Sequence, residues 1–131
     1  MTSLPLASLV TLLAVLLMFF TAMNVGRARV RHGIKAPAVT GHEMFERAFR
    51  IQMNTLESAA LMLPALWLHA VFICDLGAGV MGAIWLVARV WYALAYQKDP
   101  ARRGGGFGLS FLAFVGLWLG ALWGIVRSMM P

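Results

Sequence analysis

The sequence predicts an all-α integral membrane protein, a bundle of four transmembrane helices. Two observations carry this prediction. Of the 131 residues, 61% are hydrophobic and only 12% are charged, whereas soluble domains carry about a quarter charged residues. Four apolar segments are also long enough to cross about 30 Å of hydrocarbon as helices, which takes about 20 residues. Helices are expected because a bilayer leaves backbone groups no partners outside their own segment.

The predicted helices cover residues 3–25, 46–73, 77–97 and 107–128, within one domain of residues 1–131. The first has no charged residue. This first segment could alternatively be a cleaved signal peptide. That interpretation is disfavoured because the segment lacks the positively charged start of a signal peptide and its apolar run exceeds the usual 7–15 residues. Pro64 is predicted to kink the second helix. In the fourth, Gly116, Gly120 and Gly124 recur every four residues, a pattern typical of close helix packing.

Basic residues mark two of the three connections between these helices. The connections carry Arg27, Arg29, Arg31, Lys35 and Arg47, and then Lys98, Arg102 and Arg103. The positive-inside rule therefore predicts that the first and third loops lie in the cytoplasm and both termini on the opposite side. We expect a multi-pass protein of the bacterial inner membrane or of an ER-type membrane.

Composition also limits the partners. The formal net charge is +6, but the cations are dispersed among apolar runs, which does not indicate a nucleic-acid surface. A single cysteine, Cys74, excludes an internal disulfide. The three histidines lack the spacing of metal ligands, so no metal site is expected.

Polar side chains follow one face of the second predicted helix near its cytoplasmic end. Arg47, Arg50, Asn54 and Glu57 are separated by three, four and three residues, which places them on one face. The rise from Arg50 to Glu57 is roughly 10 Å. Snorkelling to lipid head groups explains the arginines, but a carboxylate is too short to reach the surface from that depth. Glu57 therefore predicts a functional site with a partner facing it.

The third predicted helix repeats this pattern. Arg89, Tyr92 and Tyr96 are three and four residues apart on one face. Tyrosines of an interfacial belt are the alternative interpretation. Together with Arg102 and Arg103 in the following loop, the two polar faces predict a cavity for a small, multiply charged ligand. Arginine suits such a ligand because it binds carboxylates through two parallel hydrogen bonds.

These residues resemble a known family. The segment FERAFRIQMNTLES, followed by LPALWLHAVF and later by ARVWYALAY, closely resembles the MAPEG family, the membrane-associated proteins in eicosanoid and glutathione metabolism. The resemblance runs from about Arg29 to Arg103. It implies a homotrimer of four-helix subunits in the lipid bilayer, with a site at each subunit interface for glutathione, which serves as co-substrate.

The resemblance also implies roles for individual residues. The implied glutathione contacts are Arg29, Arg50, Gln52, Asn54 and Glu57, together with Tyr92 and Tyr96 from the third helix of a neighbouring subunit. Arg103 falls where the family has its thiolate-stabilising arginine, and the adjacent Arg102 is the alternative. A guanidinium beside a thiol, whose pKa is ordinarily about 8.5, favours the thiolate. The nucleophile is thus activated without a general base.

The implied activity is that of a glutathione S-transferase in detoxification. Glutathione would be conjugated to hydrophobic electrophiles by conjugate addition or aromatic substitution, with peroxidase activity toward lipid hydroperoxides as a further expected reaction. Two positions depart from the family pattern. Ser58 stands where several eicosanoid-forming members have tyrosine. Val30 stands where some members carry a second arginine proposed as an acid, so that role is unfilled unless Arg31 substitutes.

Two other functions compete with this interpretation. The first is a family relative that binds lipid or a protein partner without catalysis, since fold does not fix function. The second is a small four-helix multidrug transporter with Glu57 as its cation site. The transporter is disfavoured because its carboxylate belongs in the first span, and because Arg50 on the same face as Glu57 repels a cationic drug.

Overall fold

The protein folds into four long helices joined by short connections. The computed structural model describes residues 3–131, so the first two residues of the expected domain lie outside the described residues. The helices are α1 (Pro5–His32), α2 (Glu43–Phe72), α3 (Asp75–Lys98) and α4 (Gly104–Met129), with a 3₁₀ turn at Pro100–Arg103. Each helix, the last counted from Pro100, is long and apolar enough to cross a membrane. The predicted all-α bundle of four candidate spans is confirmed.

The first helix extends beyond its predicted end at Val25 and includes the arginine-rich segment as far as His32. Arginine is a good helix former, and basic side chains suit the negative end of the helix dipole. The helix ends at Gly33, which has a φ of 67° and donates its N–H to the Arg29 carbonyl. Ile34 donates to the same carbonyl at 3.0 Å. The first connection is therefore confined to residues 33–42.

The fourth helix begins at Gly104, earlier than its predicted start at Phe107. The three consecutive glycines form its first turn and have no positive φ. Gly106 instead allows close packing, because a Cβ atom at that position would lie 2.5 Å from the backbone nitrogen of Tyr92. The glycines thus bring α4 against α3 beside the predicted tyrosines.

Hydrogen bonds between helices fix both ends of the bundle. At one end, the Asp75 carboxylate at the start of α3 accepts the backbone N–H groups of Leu6 and Ala7 of α1, each at 2.9 Å. At the other end, Arg47 of α2 donates to the carbonyls of Gln97 and Lys98, at 3.0 and 3.1 Å. The first and third connections therefore lie at the same end, as predicted. Which side of the membrane they face stays a prediction.

Small residues bring the helices together around an apolar core. Trp85 of α3 is fully buried, as are Met62 and Leu66 of α2 and Leu117 of α4. The glycines of the α4 repeat lie against larger side chains: Met81 faces Gly116, His69 faces Gly120, and Phe72 and Ile73 face Gly124. The predicted close packing at this glycine face is confirmed. The second helix is continuous through Pro64.

Candidate functional site

A polar pocket of about 430 Å³ opens between α2, α3 and the start of α4. Its lining comprises Arg50, Asn54, Tyr92, Tyr96, Arg103, Gly104 and Phe107. We call this cavity the polar pocket. Its volume falls within the range of about 300–1,000 Å³ that is typical of small-molecule sites. Two guanidinium groups, an amide and two phenols suit an anionic ligand with several hydrogen-bonding groups.

A buried arginine supports one wall of this pocket. Arg89 has no exposed surface, and it donates hydrogen bonds to Asn54 Oδ1 at 2.7 Å and to Thr55 Oγ1 at 3.1 Å. A longer bond of 3.3 Å reaches Ser110 Oγ, and the guanidinium carbon lies 4.0 Å from the centre of the Tyr92 ring. These contacts offset part of the large cost of burying a charge.

The arginine also determines how Asn54 is oriented. A guanidinium only donates hydrogen bonds, so the atom facing Arg89 must be the amide oxygen of Asn54. The NH₂ group of the same amide is then directed away from Arg89. Because Asn54 lines the polar pocket, this leaves an amide donor for a carbonyl or carboxylate of a ligand.

An apolar groove adjoins the polar pocket. It has a volume of about 290 Å³ and shares Asn54 and Phe107 with the polar pocket. Its remaining lining consists of Glu57, Ser58, Leu61, Ser110, Phe111 and Phe114. Glu57 is exposed there and has no ion pair or side-chain hydrogen bond with any residue from 3 to 131. The two cavities together form a polar site continuous with an apolar one.

The structure brings together most of the residues predicted for the site. Arg50, Asn54, Tyr92, Tyr96 and Arg103 line the polar pocket of a single chain. Within this chain α3 packs beside α2, so both tyrosines line the same pocket as Arg50 and Asn54. That a neighbouring subunit supplies these tyrosines to the glutathione site stays a prediction. Glu57 lies on the adjoining apolar groove, one turn beyond Asn54.

Two predicted contacts lie elsewhere. Arg29 donates to the carbonyl of Ala38 at 2.7 Å, and its guanidinium carbon lies 4.8 Å from the centre of the Phe45 ring. Gln52 follows Arg50 by two positions, a rotation of roughly 200° around the helix. It therefore lies on nearly the opposite face of α2 from the polar pocket. Within one chain, neither residue reaches the pocket.

The two adjacent arginines after α3 diverge. Arg103 lines the polar pocket and donates to the Pro100 carbonyl at 2.7 Å. Arg102 lies 3.9 Å from the Asp99 carboxylate and lines a different cavity with Trp91 and Leu94. Of the two, only Arg103 shares a cavity with the tyrosines.

Sequence reasoning missed two parts of the site. Arg89 was grouped with the tyrosines, but its burial and its bonds to α2 were not foreseen. The aromatic wall of the apolar groove was missed as well. Its signal was present, because Phe107, Phe111 and Phe114 are four and three residues apart and share a face of α4.

Comparison with known proteins identifies the family. The family model of MAPEG matches residues 7–123, which is nearly the whole chain. The chain belongs to the MAPEG family. The polar pocket and the apolar groove are therefore cavities of a MAPEG protein.

Individual relatives of this MAPEG chain include proteins with named activities. An uncharacterized protein of Synechocystis sp. is 43% identical over 95% of this chain and 91% of its own length. Microsomal glutathione S-transferase 2 of Mus musculus is 37% identical over 80% of this chain and 71% of its own length. Leukotriene C4 synthase of Cavia porcellus is 36% identical over 75% of this chain and 65% of its own length.

Proposed function

We propose that this MAPEG protein is a membrane-embedded glutathione transferase that conjugates glutathione to hydrophobic electrophiles. The observation that carries the proposal is the polar pocket, where Arg50, Asn54, Tyr92, Tyr96 and Arg103 converge beside an apolar groove. The names of the mammalian relatives, a microsomal glutathione S-transferase and a leukotriene C4 synthase, support it.

The polar pocket matches the chemistry of glutathione. The tripeptide carries two carboxylates, one ammonium group and two amides. Arg50 suits a carboxylate through paired hydrogen bonds, and the NH₂ group of Asn54 suits a carbonyl or carboxylate oxygen. Glu57 provides a carboxylate for the ammonium group. An exposed carboxylate on a membrane-spanning helix is costly unless a partner faces it, and the ligand supplies that partner.

Arg103 is the proposed activating residue. Its guanidinium favours the deprotonated form of the glutathione thiol, whose proton passes to solvent. The thiolate then attacks the electrophilic carbon, so that a C–S bond forms. In an aromatic substitution the leaving group departs with its electron pair, for example as chloride. The apolar groove holds the electrophile beside the sulfur and draws it from the bilayer.

We also propose a homotrimer for the working enzyme. Arg29 and Gln52 lie outside the polar pocket of their own chain, so they contact glutathione only if a neighbouring copy brings them there. Intact mass measurement of the detergent-solubilised complex tests this proposal. A mass of three chains supports it, whereas a fully active single chain contradicts it.

The decisive experiment measures conjugation of glutathione with chlorodinitrobenzene by the detergent-purified protein. Adding glutathione should produce the ultraviolet absorption of a thiolate. Arg103→Ala should remove this absorption and most of the turnover, whereas the matched Arg102→Ala variant should keep both. Glutathione binding in calorimetry without any turnover would favour the non-catalytic relative. Absence of both binding and turnover would contradict the proposed function altogether.

A further inference from the structure

A second cationic cavity lies at the same end of the bundle, separate from the polar pocket. It has a volume of about 420 Å³ and lies between the end of α1, the start of α2 and the end of α3. Its polar lining consists of Asn24, Arg27, Arg31, His32 and Gln97, and the small or apolar side chains of Ala28, Met44 and Ala48 complete it. We call this cavity the basic groove.

The two arginines of the basic groove lack an anionic partner. The ion pairs found within residues 3–131 join Arg47 to Glu43 and Arg102 to Asp99. Arg27 and Arg31 are exposed and take part in no side-chain hydrogen bond in that range. Two uncompensated guanidinium groups therefore face one cavity.

The nearby carboxylates do not neutralise them. Glu43 and Glu46, the acidic residues in the first turn of α2, line a different cavity together with Arg50. Attraction to the helix dipole accounts for Arg31 in the last turn of α1. It does not account for Arg27, since the dipole effect fades beyond the last turn.

The spacing of the groove residues suits a phosphate. Asn24, Arg27 and Arg31 are three and four residues apart, so they share one face of α1 over roughly 10 Å. The Cβ atoms of arginines four residues apart lie about 5–6 Å from one another. Two arginine side chains that start this close together are long enough for both guanidinium groups to bind a single phosphate, each through paired hydrogen bonds.

The same face of α1 continues into the membrane as an apolar strip. The strip consists of Phe20, Leu16 and Leu13, which lie four, eight and eleven residues before Asn24. This spacing places them on the same face of α1 as Asn24. Their exposed fractions are 52%, 47% and 42%, respectively. A molecule with a phosphate head and a hydrocarbon chain therefore finds matching surface along one continuous side of the helix.

We infer that the basic groove binds the phosphate head group of an anionic phospholipid, with an acyl chain along the apolar strip of α1. Cationic pockets between helices at the membrane surface are suited to such head groups. The site differs from the glutathione pocket in every lining residue. The inference is therefore independent of the proposed transferase activity.

The test uses the full chain purified in a neutral detergent and titrated with phosphatidylglycerol. Intact mass measurement should show one retained lipid per chain, and titration should give saturable binding. The double variant Arg27→Gln, Arg31→Gln should bind roughly 30-fold more weakly, as expected for two lost surface cations. Because neither side chain makes a hydrogen bond within the described residues, the helical content should not change.

Three comparisons can overturn the inference. The matched double variant Arg102→Gln, Arg127→Gln removes the same charge elsewhere and should keep wild-type affinity. Equal weakening in both double variants would show general attraction to a basic surface instead of a site. Phosphatidylcholine should bind more weakly, because its ammonium group opposes the arginines. If inorganic phosphate alone occupied the groove as tightly as the lipid did, the ligand would be a soluble anion.

Discussion

The buried guanidinium of Arg89 donates a hydrogen bond of 2.7 Å to Oδ1 of Asn54, which links α3 to the polar face of α2. Because the oxygen of the Asn54 amide accepts this bond, the NH₂ group of the same amide remains as a donor on the side away from Arg89. Arg89 itself does not line the polar pocket, but it contacts two residues that do, Asn54 and Tyr92.

Asn54→Asp should separate folding from ligand binding. The new carboxylate still accepts from Arg89 and supplies the buried cation with a counter-charge, so thermal stability should be kept or raised. The amide donor is lost and a negative charge enters the polar pocket. Glutathione affinity measured by calorimetry should therefore fall at least about tenfold, equivalent to one charge-assisted hydrogen bond. Wild-type affinity in this variant would show that the NH₂ group does not face the ligand.

Arg89→Met should instead destabilise the fold. The substitution leaves the side-chain oxygens of Asn54, Thr55 and Ser110 without their shared donor. Since an unpaired buried polar group costs about 1–3 kcal/mol, we expect a clear loss in the melting temperature followed by circular dichroism in detergent. Thr55→Val and Ser110→Ala, which each remove one acceptor, should have smaller effects. An unchanged melting temperature in Arg89→Met would contradict the role of this network.

Gly106→Ala should disturb the site through the backbone. The added Cβ atom would lie 2.5 Å from the Tyr92 nitrogen and 2.8 Å from the Ala88 carbonyl oxygen. Because α3 and α4 must then separate, both stability and conjugation rate should fall. Gly108→Ala is the matched control, since nothing lies within 4 Å of a Cβ atom there and Gly108 lines neither the polar pocket nor the apolar groove. It should keep activity and gain slightly in stability, because alanine favours a helix over glycine by about 1 kcal/mol.

Phe111→Ala should affect the electrophile and leave glutathione binding unchanged. The ring lines the apolar groove and is absent from the lining of the polar pocket. Losing an apolar contact of this size should raise KM for a hydrophobic electrophile by at least about tenfold, since burying a large side chain contributes about 1.5–3 kcal/mol. Phe19→Ala on α1, where the ring is 57% exposed, serves as the control. A change in glutathione affinity would show that the Phe111 ring contacts glutathione as well as the electrophile.

Asp75→Ala should weaken the opposite end of the bundle without affecting the site. The carboxylate accepts the N–H groups of both Leu6 and Ala7 at 2.9 Å, and losing a helix N-terminal cap costs about 1 kcal/mol. The melting temperature should fall while glutathione affinity stays constant. Asp75→Asn retains one accepting oxygen and should recover part of the loss. An altered glutathione affinity would mean that the two ends of the bundle are coupled.

Much of the fold was predictable because the membrane constrains it strongly. Long apolar segments have few alternatives to spanning helices, and each of the four segments lies in a helix long and apolar enough to cross a membrane. The boundaries were less predictable, because charge and glycine were taken as signs of loops. Residues 27–32 are helical because the helix propensity of arginine outweighs the sign of a loop. Residues 104–106 are helical because packing against α3 does so.

The site was predictable in part, since spacing of three and four residues places side chains on one face. This rule connected Arg50 with Asn54, and Tyr92 with Tyr96. It gave no information on which chain supplies each face. The neighbouring subunit as the source of the tyrosines came from the family resemblance and stays a prediction. The interhelical bond from Arg89 to Asn54 was not predictable either, because it depends on how α2 and α3 are rotated toward one another.

The contact at Gly106 has a mechanical consequence. The backbone of α4 at Gly106 packs directly against the backbone of α3 at Tyr92. No flexible side chain lies between the two helices beside Tyr92 and Phe107. Tyr92 lines the polar pocket, and Phe107 lines both the polar pocket and the apolar groove. The sulfur nucleophile and its lipid-dissolved target would then meet where two helices are in rigid backbone contact. The main chain would therefore set the geometry of attack.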